Sequence, residues 1–265
     1  MTELFEKSIH TLELPRVLSL LAEEAVSQEA KENALLLRPS GDPEEVSRRL
    51  KETTASRSMM DLKGAPSFRE VRPVNAALQR ADRGGTLSPR ELLDIAGVLK
   101  ATRTIKDYGS SDRQEKTCID FLFETLHPNR FLEDKISGSI LSEDEIADTA
   151  SPELLSIRRH MKLANAKVRE SLQKIISSSH YAKYLQDAII TMRSDRYVVP
   201  VRAECKGEIP GLVHDVSASG ATVFIEPMSA VQANNELREL SSKEKKEIER
   251  ILMELSADTA AHAAD

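Results

Sequence analysis

A short β-rich block stands between two long helical stretches, and this arrangement restricts the possible folds more than any other feature of the sequence. The block covers residues 190–227, which read ITMRSDRYVVPVRAECKGEIPGLVHDVSASGATVFIEP. Apolar residues alternate across 197–203, and further apolar runs follow at 209–216 and 221–225. We therefore predict a three-stranded antiparallel meander. Pro200 should lie on an edge strand or at a bulge, because proline cannot donate to a strand ladder.

One long helix is predicted on each side of this block. Before it, apolar residues from Leu154 to Ile175 recur at steps of three and four and form one narrow seam. After it, apolar positions run from Leu237 to Leu255, but the stretch SSKEKKE at 241–247 has none, which is typical of a helix that crosses solvent. The sheet would then lie at the end of two antiparallel helical arms. An ordinary bundle core explains both seams equally well.

The first 150 residues are predicted to form an all-helical bundle. The pairs Asp42-Pro43, Ser88-Pro89 and Ser151-Pro152 each place a capping side chain before a proline at the first helical position. The apolar spacing predicts helices near 2–10, 15–36, 43–63, 73–82, 89–108 and 114–126. Loose joints are expected at 109–113 and 138–150, where Gly, Ser and acidic residues gather.

Composition narrows the class of protein. Of the 265 residues 40% are apolar and 30% are charged, which suits long helices with a large solvated surface. The net charge of −6 argues against nucleic-acid binding by the whole surface but leaves room for a local basic strip. Cys118 and Cys205 are far apart, so free thiols and a cytoplasmic location are expected. The N-terminal MTELFEKSIHTLEL is neither a signal peptide nor a membrane span, and no membrane partner is expected.

The sequence offers no convincing catalytic or metal site. No Gly-Lys dipeptide is present, which excludes a phosphate-binding P-loop, and the common zinc, serine-hydrolase and dinucleotide motifs are absent. Acidic residues cluster at 143–148, but without a histidine they fit the first turn of a short helix after Ser142 better than a nuclease metal site. His214 and Asp215 are neighbours on a predicted strand and should face opposite sides.

Basic residues are the remaining candidates for function. They occur on the predicted outgoing helix and in the β-rich block, and phosphate contacts through them would hold a nucleic acid without reading its bases. The candidate contacts are Arg158, Arg159, Lys162, Lys167, Arg169, Arg193, Arg196, Arg202 and Lys206. A solvated helix face is the alternative interpretation of these charges. A second function of a different class is a protein-interaction or dimerisation scaffold that uses the edge of the meander.

Several segments resemble a known family. Between Tyr184 and Leu240 the most specific are DRYVVPV at 195–201, GLVHDVS at 211–217, SGATVFIEP at 219–227 and NNELREL at 234–240. With LRPSGDPEEV and RADRGGTLSPRELLDIA upstream, they are similar to the second bacterial MutS-type family, the anti-recombination paralogues of the mismatch-repair MutS proteins. Cys205 departs from the bulkier residue that the family pattern leads us to expect.

The resemblance implies an architecture and a function. It implies a helical core at 1–150, an outgoing lever helix at 151–190, a β clamp at 191–227 and a returning lever helix at 228–265 that stops before an ATPase domain. The resemblance implies that such proteins form homodimers, bind ATP and Mg²⁺ in that ATPase domain, and often carry an Smr-type nuclease. They act on branched DNA to suppress recombination, on collided ribosomes to split them, or on both. This chain is then expected to be a non-catalytic gripping portion without a cofactor of its own.

Overall fold

The structure, a computed structural model, describes residues 3–110 and 116–263. Helices dominate it and two small antiparallel sheets complete it, so the predicted mainly α class with a β insertion is confirmed. The chain divides into two compact units. The bundle unit comprises the residues up to Ala147 together with those from Leu252 onward, and the sheet unit comprises Asp148–Ile251.

Eight helices form most of the described part of the bundle unit. They are α1 (Glu3–Thr11), α2 (Leu14–Glu24), α3 (Gln28–Leu35), α4 (Pro43–Lys63), α5 (Asn75–Asp82), α6 (Pro89–Ser110), α7 (Asp120–Glu124) and α8 (Arg130–Ser139). The core includes Leu92 of α6 and Ile136 of α8, both fully buried. Burial of these apolar side chains is the main favourable contribution to the stability of the unit.

Local capping interactions start the helices where the sequence predicts. The Asp42 carboxylate accepts a hydrogen bond from the Glu44 backbone N–H at 2.9 Å, directly before Pro43. Ser88 and Glu91 form a reciprocal capping box, in which the Ser88 backbone N–H donates to Glu91 at 2.9 Å. The Arg80 guanidinium, more than the Ser88 groups, lowers the pKa of Glu91 to about 2. The predicted starts at 43 and 89 are therefore confirmed.

Two predicted helices are shorter in the structure than in the sequence interpretation. The helix expected at 15–36 is broken after Glu24, because the Ser27 hydroxyl caps a new helix by accepting from the Ala30 backbone N–H. The helix expected at 114–126 is reduced to α7, with residues 114–115 outside the described part. The joint expected at 109–113 is helical up to Ser110, and residues 111–113 also lie outside the described part.

The segment after α8 is a small hairpin and not the start of a helix. Strands β1 (Ile140–Ser142) and β2 (Glu145–Ile146) pair antiparallel around the acidic residues, and a 3-10 helix follows at Asp148–Ala150. The expected short helix after Ser142 is therefore wrong. Fully buried Ile140 and buried Ile146 face each other in the register, so apolar burial favours the hairpin.

The sheet unit joins two long helices through a four-stranded antiparallel sheet. Its elements are α9 (Pro152–Ile176), α10 (Ser179–Ala182), β3 (Thr191–Arg193), β4 (Arg196–Arg202), β5 (Gly211–Val216), β6 (Thr222–Pro227) and α11 (Met228–Ala261), the last of which continues into the bundle unit. The strand order is β3-β4-β6-β5. The sheet thus differs in detail from the expected meander, because it has a fourth strand and because β6 lies between β4 and β5.

The additional strand depends on a tight turn. Arg193 and Arg196 are paired across a two-residue loop, and the loop residues Ser194 and Asp195 have φ values of 50° and 61°. Left-handed backbone at both positions matches the twist of a type I′ hairpin, although such turns favour Asn-Gly. The hairpin sets the register of β4 against β3 and places Arg193 and Arg196 directly opposite each other, one on each strand next to the turn.

Pro200 lies where β4 changes partners. Residues 196–198 pair with β3, whereas 199–202 pair with β6. Along the edge of β4 that faces away from β6, the Pro200 carbonyl accepts from the Gln186 N–H at 3.0 Å. An isolated bridge from Leu185 to Val201 takes the place of a regular strand there. The missing proline N–H therefore falls at a local edge, as predicted.

The core of the sheet unit lies between the sheet and the adjoining ends of α9 and α11. Val168 and Leu172 of α9, Val199 and Ile225 of the sheet, and Ala230 of α11 are buried in one cluster. Every one of these side chains belongs to the sheet unit, so the sheet is held by the end of the outgoing helix and the start of the returning helix.

Polar contacts join α9 and α11 away from the sheet. Arg158 donates to Glu244 at 2.7 Å, and the Ser151 hydroxyl donates to Glu247 at 2.6 Å. The polar stretch 241–247 is therefore not fully solvated, contrary to expectation, since Glu247 is only 8% exposed. Its acidic residues turn toward α9 and take the place of apolar contacts.

Candidate nucleic-acid interface

A buried carboxylate organises the sheet unit. Glu226 of β6 has no exposed surface, and its oxygens accept from Arg196 at 2.8 and 3.0 Å and from the Asn234 amide at 2.8 Å. His214 on β5 makes a further short contact with the same carboxylate. Asn235 in turn accepts from Arg196 at 2.7 Å. A buried carboxylate is tolerated because it is paired and hydrogen-bonded on all sides.

This network unites the four segments that carry the family resemblance. Arg196 lies in the first, His214 in the second, Glu226 in the third, and Asn234 with Asn235 in the fourth. In the sequence these segments serve only as markers, and nothing in it indicates that their side chains meet. The sequence hints only that Glu226 is unusual, as an acid between apolar strand residues and a proline in the string FIEP, and does not indicate its partners.

His214 and Asp215 do not form an acid–base pair. A bulge occurs between Val213 and Asp215, yet His214 contacts Glu226 whereas Asp215 pairs with Arg193 at 3.2 Å. The Arg193 guanidinium also stacks on the Phe224 ring, 4.1 Å from its centroid. His214 and Asp215 therefore take separate structural partners. The expectation of opposite faces is wrong, because the bulge places Asp215 opposite Phe224, which shares a face of β6 with Glu226.

The five candidates on α9 differ in their accessibility. Arg158 is held between Asp148 at 2.6 Å and Glu244, and its side chain is 21% exposed. Lys162 is exposed and lies 3.6 Å from Asp148, and Arg169 covers the Tyr197 ring. Arg159 and Lys167 are exposed and have no ion pair within the described part of the chain. Arg158, Lys162 and Arg169 recur at four- and seven-residue steps and so share one side of α9.

The four candidates in the sheet region also fall into two groups. Arg193 and Arg196 are held by carboxylates, and Arg196 is only 13% exposed. Arg202 and Lys206 are exposed, and among the described residues neither has an ion pair. The structure therefore leaves Arg159, Lys162, Lys167, Arg169, Arg202 and Lys206 accessible to a ligand, and holds the other three in internal contacts.

Charge is distributed unevenly between the two units. Of the 37 Lys and Arg and the 43 Asp and Glu of the chain, the sheet unit contains 16 and 14, so it carries +2 and the remainder −8. Within it, Asp148, Glu226, Glu244 and Glu247 turn toward internal partners. The candidates chosen from the sequence omit the exposed cations of α11, namely Arg238, Lys243, Lys245 and Lys246. In the sequence the run KEKKE looks uniformly solvated. It gives no sign that Glu244 and Glu247 turn toward internal partners while the lysines stay exposed.

The acidic cluster at 143–148 takes structural partners. Glu143 pairs with Arg90 in the bundle unit, and Arg158 lowers the pKa of Asp148 below its ordinary value in the sheet unit. Across residues 3–110 and 116–263, no group of three or more His, Cys, Asp or Glu side chains has the geometry to hold a metal ion. None of the helices in those ranges is long and apolar enough to cross a membrane.

The sheet unit is a pair of antiparallel helices that carry a small sheet, and a buried carboxylate fixes the sheet to the second helix. This architecture defines the structural class of the protein. No protein-family model matches the chain. Among curated proteins it is similar to the endonuclease MutS2 of Ruminiclostridium cellulolyticum, with 46% identity over 96% of the chain. The MutS2 proteins of Acetivibrio thermocellus and Clostridium beijerinckii are 45% and 44% identical over 96% and 95% of it.

These matches confirm the predicted family, and the chain belongs to the MutS2 family. It spans 32% of the length of each of these relatives.

Proposed function

We propose that this chain is a non-catalytic part of a MutS2-type protein that grips nucleic acid in the cytoplasm through the phosphate backbone. The unequal distribution of charge carries this proposal, because the sheet unit has an excess of cations within an acidic chain. The accessible candidates Arg159, Lys162, Lys167, Arg169, Arg202 and Lys206 would contact phosphates. Arg158, Arg193 and Arg196 would hold the surface in shape.

The proposed ligands are branched DNA, in suppression of recombination, and the RNA-rich surface of collided ribosomes. In the complete protein α9 and α11 would act as levers and the sheet as a clamp. A rigid helix of 25 residues such as α9 extends about 37 Å, so a small rotation at one end becomes a large displacement at the other. Homodimerisation and ATP with Mg²⁺ would belong to the complete protein.

A salt series tests phosphate gripping. The chain would be titrated with a labelled four-way DNA junction, a linear duplex and ribosomes between about 50 and 200 mM salt. The triple variant Arg159→Gln, Lys167→Gln and Arg202→Gln removes three cations without touching a buried contact. We expect its log Kd to depend on log salt with a slope smaller by about 3.

The matched control removes the same charge elsewhere. Lys51→Gln, Arg57→Gln and Arg69→Gln change three exposed side chains of the bundle unit and should leave the slope unchanged. Affinity that does not vary with salt, or equal losses in both triple variants, would refute the proposal. Tighter binding of the junction or of ribosomes than of duplex would identify the preferred target.

A second candidate function is pairing through a sheet edge. Strand β5 pairs with β6 alone in the described structure, and its Leu212, Val213 and Val216 are about half exposed. Such an edge accepts a further strand from a partner. Val213→Lys would block this pairing and leave phosphate binding intact, whereas the triple variant would do the reverse. Sedimentation velocity and the salt series together separate the two functions.

A further inference from the structure

A surface cavity lies where strand β4 meets helix α11. Its volume is about 390 Å³, and it is lined by Arg196, Asn235, Arg238, Glu239 and Ser242. The four α11 residues follow the spacing i, i+3, i+4 and i+7, which places them on one face of the helix. Arg196 reaches this face from the sheet.

The cavity offers mainly hydrogen-bond donors. Two acceptors, Glu226 and Asn235, fix the Arg196 guanidinium, and since the Asn235 oxygen is occupied by Arg196, its amide N–H groups are what it has left to offer. Arg238 is exposed and forms no ion pair with any described residue. The Ser242 hydroxyl adds a further donor, and Glu239 is the single carboxylate in the lining.

We infer that this cavity binds one phosphate group of a nucleic-acid backbone, with Arg238 as the direct contact. The inference rests on the proposed function and gives it a defined site. A phosphate presents several acceptor oxygens at once, and a planar guanidinium with neighbouring amide and hydroxyl donors matches that arrangement. A neutral hydroxyl-rich ligand would not need the unpaired charge of Arg238.

The hydrogen-bond network around Glu226 holds the donors of the cavity in position before a ligand binds. Because Glu226 balances the charge of Arg196 and fixes its orientation, Arg196 and Asn235 present their remaining N–H groups without rearrangement. Arg196 is therefore a positioning residue, and the added positive charge comes from Arg238. Glu239 opposes the bound anion, so its removal should strengthen binding.

The test uses the whole chain and two ligands. The Arg side-chain Nε–H resonances would be followed by NMR during titration with inorganic phosphate and with a duplex oligonucleotide. We expect both ligands to shift the Arg238 signal. In the binding assay, Arg238→Gln should weaken duplex affinity about three- to tenfold and lower the salt slope by about 1, and Glu239→Gln should strengthen affinity. Arg57→Gln on exposed α4 is the matched control.

Each outcome decides a separate point. If the duplex binds with a steep salt slope but Arg238→Gln behaves like Arg57→Gln, the cavity is not a contact and the proposed function stands. If the wild-type chain binds neither duplex nor four-way junction nor ribosomes at any salt concentration, the proposed function fails. A response of Arg238 to inorganic phosphate alone would then mark a site for small anions and overturn the nucleic-acid assignment.

Discussion

The two ends of the α9–α11 pair within the sheet unit are held by different forces. At the sheet end, Val168, Leu172 and Ala230 pack against the sheet, and the buried Glu226 joins Arg196 of β4 to Asn234 of α11. At the opposite end, which we call the ionic end, Ser151, Arg158, Glu244 and Glu247 provide hydrogen bonds and ion pairs. The same antiparallel pairing is thus maintained by apolar burial and a fully buried carboxylate network at one end, and by more exposed charges at the other.

The two ends should therefore respond differently to salt and to pH. Apolar burial and buried ion pairs respond only weakly to moderate salt, whereas partly exposed ion pairs weaken as ionic strength rises or as carboxylates are protonated. The sheet end should therefore stay rigid under conditions that loosen the ionic end. Under the proposed function, the contacts Arg202 and Lys206 would lie on the end whose shape depends least on salt, whereas Arg159 and Lys162 lie beside the ionic end.

The largest expected effect is at the sheet end. Glu226→Ala leaves Arg196, His214 and Asn234 without their shared acceptor, and breaking a buried pair costs about 3–5 kcal/mol. Urea unfolding followed by circular dichroism measures the loss. Glu249→Ala, an exposed site on α11, should change stability by less than about 0.5 kcal/mol. Equal midpoints for the two variants would show that Glu226 is not the organising group.

A smaller and pH-dependent effect is expected at the ionic end. Arg250, followed by the Ser151 hydroxyl, lowers the pKa of Glu247 to about 2 from the ordinary 4.5. Glu247→Gln should cost about 1.5–3 kcal/mol at pH 7, the range for hydrogen bonds to charged groups. Because the folded pKa is the lower one, this difference between wild type and variant is complete above pH 4.5 and disappears as pH falls toward 2.

Unfolding of both proteins at several pH values measures this difference. Comparison with the variant cancels the titration of other carboxylates, which affects both proteins alike. A difference that stays constant down to pH 2 would show that the Glu247 charge does not stabilise the ionic end.

The smallest effect is expected for an exposed pair on the same helix. Glu170 and Lys174 of α9 lie 2.9 Å apart, but their side chains are 69% and 73% exposed. Lys174→Gln should lower the urea midpoint only marginally at low salt and not measurably in molar salt. A loss comparable to that of Glu247→Gln would mean that exposure does not separate the ionic end from the rest of α9.

Local signals explain what could be predicted from the sequence. Asp42, Ser88 and Ser151 cap the helices that follow them because each cap involves residues only two or three positions away. The seam of α9 was also predictable, and Leu154, Val168 and Leu172 are fully buried. Periodicity and capping are properties of neighbouring residues, so one sequence is sufficient to detect them.

Features that depend on distant residues escaped prediction. The order of β4, β6 and β5 depends on how the connection 203–210 crosses the sheet, and no local pattern records that. Strand β3 has three residues and is joined to β4 by a turn without glycine. Of the nine candidate cations, the sequence could not tell which ones a carboxylate 30 or more residues away would occupy, as Glu226 occupies Arg196.

The two-residue loop at Ser194 and Asp195 determines which side chains of β4 lie on each face of the sheet. Side chains on a strand alternate between its faces, so an inserted residue must either lengthen the loop to three residues or shift β4 by one position. In the second case, Arg196 and Tyr197 would exchange faces along the rest of the strand. The length of one short turn therefore determines whether a guanidinium or a phenol meets the carboxylate below.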